Sequence, residues 1–191
     1  MGKPAFSMEK SNSLSISKIK KKEEENMGIF SHFREKSKEN KENEKAVYSP
    51  LAGEVIPLES VNDEAFAEKS MGDGIAIQPS EGKLYAPLSG VVQALFPTGH
   101  AIAITGDNGI GVMLHIGIDT VELEGNGFTP HVKQEDRVEK GQLLITFDIE
   151  KIRAKGYEVT TMIVLPESEE LGEIKKRESG TISPQEKLLW L

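Results

Sequence analysis

Cysteine is absent from the 191 residues, which excludes disulfides, thiolate metal sites and cysteine nucleophiles. Aromatic residues make up only 6%, with a single tryptophan, so the core must be built from aliphatic side chains. Long hydrophobic runs are missing too. The longest stretch free of Asp, Glu, Lys and Arg extends from Leu84 to Gly106. It contains Pro87, Gln93, Pro97, Thr98 and His100, a texture of strands and turns, not of a membrane span. The N-terminus lacks the apolar stretch of a signal peptide, and a cytoplasmic location is expected. There is no excess of basic charge: the net charge is −8, unevenly spread. Residues 1–46 hold 11 Lys/Arg and 8 Glu, a balance of +3, which leaves −11 on the remainder. An acidic domain repels nucleic acid and suits a basic protein partner.

What is present divides the chain. Residues 1–46 are rich in Lys, Glu, Ser and Asn and read as a disordered, linker-like tail. Within it, Ile29, Phe30 and Phe33 would place apolar residues on one side of a short helix at 28–36. Three such residues bury little, so a solvated linker is the simpler expectation. From Ala46 onward, short β-branched runs alternate with Gly, Pro and Asp, as in Gly74–Ile77, Ala101–Ile104 and Gln142–Phe147. This predicts an all-β fold, a sandwich or barrel. Helices are expected only near Asn62–Glu68 and Ile149–Lys155. An internal repeat supports the prediction. Val47-Tyr48-Ser49-Pro50-Leu51-Ala52-Gly53-Glu54-Val55 recurs as Leu84-Tyr85-Ala86-Pro87-Leu88-Ser89-Gly90-Val91-Val92, with five identities in nine positions. Each copy reads as strand, Pro-x-x-Gly bend, strand, with the glycine in a left-handed conformation. A third turn at Arg137–Leu143 feeds the last long strand.

Of the four histidines, His32 falls in the presumed tail and His131 lies among charges at the expected surface. His100 and His115 each adjoin an apolar β-run. Two antiparallel strands joined through Asp107-Asn108-Gly109 would set them almost symmetrically about the turn, opposite each other on one face. A close histidine pair suits phosphoryl transfer, in which one neutral imidazole is the nucleophile and the other donates a hydrogen bond to phosphoryl oxygens. It also suits zinc, for which further ligands would be needed, or packing alone. The surrounding glycines fit turns or the close approach of a partner.

The motifs Ser49–Val55, Phe66-Ala67-Glu68-Lys69, Met71–Ile77, Phe96–Ala101 and His115–Leu123 together resemble the glucose-type enzyme IIA of the bacterial sugar phosphotransferase system, over residues 47–165. The resemblance implies a duplicated hybrid β-sandwich, with residues 166–191 left as a C-terminal tail. It implies a cytoplasmic phosphotransferase component in which His115 accepts a phosphoryl group on Nε2 from the carrier HPr. His100 supports that group and its onward transfer, and Thr98 orients His100. The acceptor would be a cysteine of a sugar-specific enzyme IIB of the membrane permease IIB/IIC, carried on another polypeptide. A docking face of Phe66, Met71, Phe96, Met113 and Val121 is implied, with Asp63 and Asp119 facing arginines of the donor. No cofactor is required, although in some members the two histidines share zinc with a regulated partner.

Some positions depart from the pattern. Ser70 stands where an apolar residue is usual, Glu135 replaces a glycine, and Thr161-Met162 replaces Thr-Pro. The ending Leu188-Leu189-Trp190-Leu191 has no counterpart in this reading. Two rival classes fare worse. A biotinyl or lipoyl carrier would use a hairpin lysine such as Lys69, but the methionine expected before it is missing. A zinc peptidase of related architecture would want a His-x-His pair. His115 and Asp119 have the spacing of its other motif, but no His-x-His occurs.

Overall fold

The computed structural model describes residues 45–191. The expected tail, His32 and the 28–36 segment lie outside them. In chain order the elements begin with β1 (Ala46–Tyr48), β2 (Gly53–Ile56), a 3-10 turn (Leu58–Ser60), α1 (Glu64–Ala67) and β3 (Asp73–Pro79). They continue with β4 (Lys83–Tyr85), β5 (Gly90–Leu95), β6 (Ala101–Gly106), β7 (Gly111–Ile116) and a second 3-10 turn (Thr120–Leu123). Next come β8 (Phe128–Pro130), β9 (Arg137–Val138), β10 (Leu143–Phe147), α2 (Ile149–Ala154) and β11 (Thr161–Leu165). The last are α3 (Ser168–Leu171), β12 (Lys175–Lys176), β13 (Gly180–Ile182) and β14 (Lys187–Trp190). The all-β expectation holds, and α1 and α2 fall where short helices were expected. No helix among the described residues is long and apolar enough to cross a membrane.

One eight-stranded sheet runs β13-β2-β3-β11-β7-β6-β5-β9, and two three-stranded sheets run β1-β14-β12 and β4-β10-β8. The main core holds Ile77, Ile102, Ile104, Leu114, Ile116 and Ile163 of the large sheet together with Leu84, Leu144, Ile145 and Leu188 of the small ones. A second cluster, with Leu58, Phe66, Ala76, Met113, Ile118, Met162 and Val164, covers the other side of the central strands. β11 is therefore buried at all five positions. This is why Met162–Leu165 reads as a continuous apolar run and not as alternation.

The repeat is a structural duplication. Tyr48 N–H donates to the Pro87 carbonyl (3.0 Å), and Tyr85 N–H donates to the Pro50 carbonyl (2.7 Å), so each bend is tied reciprocally to the other. The repeat glycines are not in the left-handed region, contrary to expectation. They are strand residues with a neighbouring strand against them. A Cβ on Gly53 would stand 2.1 Å from the Gln78 carbonyl oxygen, and one on Gly90 would stand 2.2 Å from that of Thr105.

The segment from residue 166, expected to be a tail, completes this duplication. Its turn between β13 and β14 is the second copy of the turn between β9 and β10. Gly90 pairs with Val138 and Gly53 with Ile182. Ala86 N–H donates to the Gln142 carbonyl at 2.8 Å, as Ser49 N–H does to that of Glu186 at 2.7 Å. The left-handed position is Gly141 (φ 86) in one copy and Gln185 (φ 71) in the other. Leu188 and Leu189 are 0% and 1% exposed, so the apolar ending is core. β1 already includes Ala46, one residue before the expected boundary. At Glu135 the turn keeps a glycine-like backbone, φ 73, although the glycine is gone.

Candidate functional site

His115 lies near the end of β7, beside β6 and β11. The hairpin register pairs Ala101 with His115 and Thr105 with Gly111, one residue away from the expected face-to-face alignment of the two histidines. His100 precedes the strand, at a point where Gly99 turns the chain with φ 69, and its carbonyl accepts from Ile116 N–H at 2.8 Å. The methyl of Ala101, directly across from His115, leaves space for the neighbouring ring. The two imidazoles meet with centroids 4.9 Å apart, edge to face at 78°. Phe66 lies 5.2 Å from the His115 ring and Phe96 5.5 Å from that of His100.

Each ring has one nitrogen committed. His115 Nδ1 lies 2.9 Å from the Gly117 carbonyl oxygen. A carbonyl can only accept, so Nδ1 carries the proton and Nε2 of the neutral ring keeps its lone pair. Gly117 has φ 78, and a Cβ there would lie 2.4 Å from Thr120 Cγ2 and 2.5 Å from the Glu158 carbonyl oxygen. Thr120 is fully buried and its hydroxyl donates to the Ile116 carbonyl. Thr98 Oγ1 is hydrogen-bonded to His100 Nδ1.

Burial, and secondarily the nearness of His115, holds the His100 pKa down at about 4. Burial also lowers that of His115, opposed by the Gly117 carbonyl and by Asp63 and Asp119. At neutral pH the site is thus a pair of uncharged imidazoles, one with an exposed lone pair. Asp63 caps α1, its Oδ1 accepting from Ala65 and Phe66 N–H. Asp119 is exposed and left-handed at φ 55, opening the second 3-10 turn.

The expected docking residues divide by burial. Met71, Phe96 and Val121 are three of the four exposed large hydrophobic residues among those described. Phe66 and Met113 are 5% and 9% exposed and lie beneath the surface, because the central sheet is covered on this face as well as on the other. His131 is exposed, with Nε2 3.1 Å from Thr146 Oγ1. Among the described residues no group of three or more His, Cys, Asp or Glu could hold a metal. The two imidazoles amount to half of the four-ligand shell that zinc takes. The part of Gly117 in the site is played by its backbone carbonyl, which residue type does not reveal, and the sequence does not show that the Thr120 hydroxyl is turned inward beneath it.

Residues 45–171 match the family model described as phosphoenolpyruvate-dependent sugar phosphotransferase system, EIIA 1. The chain is 47% identical over 145 residues to a beta-glucoside-specific EIIBCA component of Halalkalibacterium halodurans, covering 76% of this chain and 23% of that protein. It is 48% identical over 139 residues to the corresponding component of Dickeya chrysanthemi, covering 73% and 22%. The chain thus spans about a quarter of the length of these relatives. The structure of glucose permease IIA from Mycoplasma capricolum superposes with a TM-score of 0.71 at 34% identity, over 75% of this chain and 93% of that one. The chain therefore belongs to the EIIA type 1 family of the phosphoenolpyruvate-dependent sugar phosphotransferase system.

Proposed function

We propose that this chain is a phosphocarrier in which His115 Nε2 is the phosphoryl acceptor. The observation that carries the reading is the Nδ1–H bond to the Gly117 carbonyl, which leaves Nε2 of a neutral ring free to attack. In the first step the P–N bond to the phosphohistidine of HPr breaks as the bond from phosphorus to Nε2 forms, and the donor imidazole leaves. In the second step a thiolate of enzyme IIB attacks phosphorus and the His115 imidazole leaves. No cysteine occurs in these residues, so that thiolate comes from outside them.

His100 supplies a hydrogen bond to the transferring group. If the Thr98 hydroxyl donates to His100 Nδ1, then Nε2 carries the proton and points a donor, not a lone pair, at the phosphoryl oxygens. Donors placed for charge that spreads over the equatorial oxygens are what phosphoryl transfer needs most. Met71, Phe96 and Val121 form the apolar part of the docking face for HPr and IIB, and Asp63 and Asp119 meet its basic groups. Such a carrier works in the cytoplasm beside a membrane permease, and the added phosphoryl charge at this face would let other partners read its state. The transfer is routed through the two imidazoles alone. Zinc shared with a partner would have to take its other ligands from that partner.

The test is phosphotransfer from phosphoenolpyruvate through purified enzyme I and HPr, with the modified residue mapped. Labelling is expected on His115 and should vanish in His115→Ala. Full labelling of the alanine variant would sink the assignment.

A further inference from the structure

Thr160 immediately precedes β11 and sits between β3 and β7. The ladder from β11 to β3 closes at Thr161 and Ile77, and that to β7 closes at Thr161 and Ile116. One step further along the same registers, Thr160 stands opposite Gln78 on one side and Gly117 on the other. Its carbonyl accepts from Gly117 N–H at 3.0 Å. Its hydroxyl, on a residue 4% exposed, donates to Gln78 Oε1 at 2.9 Å. A side-chain bond thus takes over where the backbone ladder to β3 stops.

That position bears directly on His115. The N–H of Gly117 is held by the Thr160 carbonyl, and the carbonyl of the same residue, one peptide further along, holds the His115 ring proton. On its other side the glycine has no slack, since Thr120 Cγ2 and the Glu158 carbonyl stand where a Cβ would be. A free imidazole in water prefers its proton on Nε2, so the tautomer with a bare Nε2 depends on where that one carbonyl is placed. The exposed bond from Asn62 to Glu158 also steadies this loop, but water competes for it. The Thr160–Gln78 bond is the more sheltered tie.

We infer that the Thr160–Gln78 hydrogen bond is a positioning device for the phosphoryl acceptor, setting the His115 tautomer through Gly117. This rests on the reading of His115 as acceptor. Neither residue touches the transferring group; both act through Gly117.

The experiment uses the full chain with 15N-labelled histidine. The ring nitrogens of unphosphorylated His115 are read by NMR across pH, and phosphoryl uptake from HPr is then timed. Thr160→Val should introduce a share of the Nε2–H form and slow uptake by about tenfold, the scale seen when a group supporting a reactive residue is lost. Gln78→Leu should act in the same direction and provides the reading if the valine variant fails to fold. Thr160→Ser should restore both the tautomer and the rate. A valine variant with a purely Nδ1–H ring and wild-type uptake would overturn the proposal. So would a serine variant as slow as valine, which would assign the effect to packing of the methyl group. The ring readout precedes any donor, so it stands apart from the mapping of the phosphoryl group. Labelling of His115→Ala would defeat the functional reading and leave the tautomer result intact.

Discussion

A histidine that is 4% exposed, as His100 is, carries a cost whenever it must take up a proton. Its pKa is about 4 in the fold, against 6.5 ordinarily, chiefly through burial. Between those values the unfolded chain binds a proton that the folded chain does not, so stability falls as pH drops through that window and is intact above it. At about 1.4 kcal/mol for each pH unit crossed, the loss approaches roughly 3 kcal/mol by pH 4. His115 shifts in the same direction and adds to the effect. Denaturant unfolding of wild type and His100→Gln at pH 7.5, 6 and 5 isolates the term. The glutamine variant should lose distinctly less stability on acidification, since carboxylates contribute equally to both proteins. Parallel curves for the two would mean that His100 is hydrated in the fold. At His115 the same effect of burial serves attack, because a ring that stays neutral keeps its Nε2 lone pair down to lower pH than an exposed one.

At the scale of elements, legibility followed the residues that mark turns. β-branched runs and glycines made the all-β class, the hairpin of β6 and β7 and the repeat of Pro50 and Pro87 readable. The second copy of the Val138–Leu144 turn was not readable. Its left-handed position is Gln185 instead of glycine, and of seven aligned positions only Leu144 and Leu188 are identical. Without the turn signal, β13 and β14 read as a tail. The burial of Met113 was hidden for another reason, since a sheet covered on both faces loses the alternation that separates inside from outside, and Phe66 of α1 is part of that cover. If β14 is core, then Leu188→Ala should cost about 3 kcal/mol, as for other fully buried leucines. Thermal or chemical unfolding checks this. A loss under about 0.5 kcal/mol, typical of a surface change, would return the segment to the status of an appendage.

On the whole molecule two features bear on the proposed docking face, an acidic surface and exposed apolar side chains, of which Phe96 lies beside His100. Residues 47–191 carry a formal charge of −11, and Met71, Phe96 and Val121 are 42%, 44% and 47% exposed. The long-range charge should govern encounter with a basic partner, and the apolar side chains should govern how long the complex lasts. Association with HPr should therefore slow as salt rises, because the Debye length shrinks from about 10 Å at 0.1 M to about 3 Å at 1 M. Phe96→Glu should do something different. It removes an aromatic side chain beside His100 and places an unpaired charge in the proposed docking face, so its penalty should appear chiefly as faster dissociation. Asp119→Asn, at an exposed residue, should mainly lower the association rate, and by less. Binding kinetics of the three proteins at two salt concentrations separate these effects. Association that ignores salt, together with wild-type dissociation for Phe96→Glu, would place the docking face on another part of the surface.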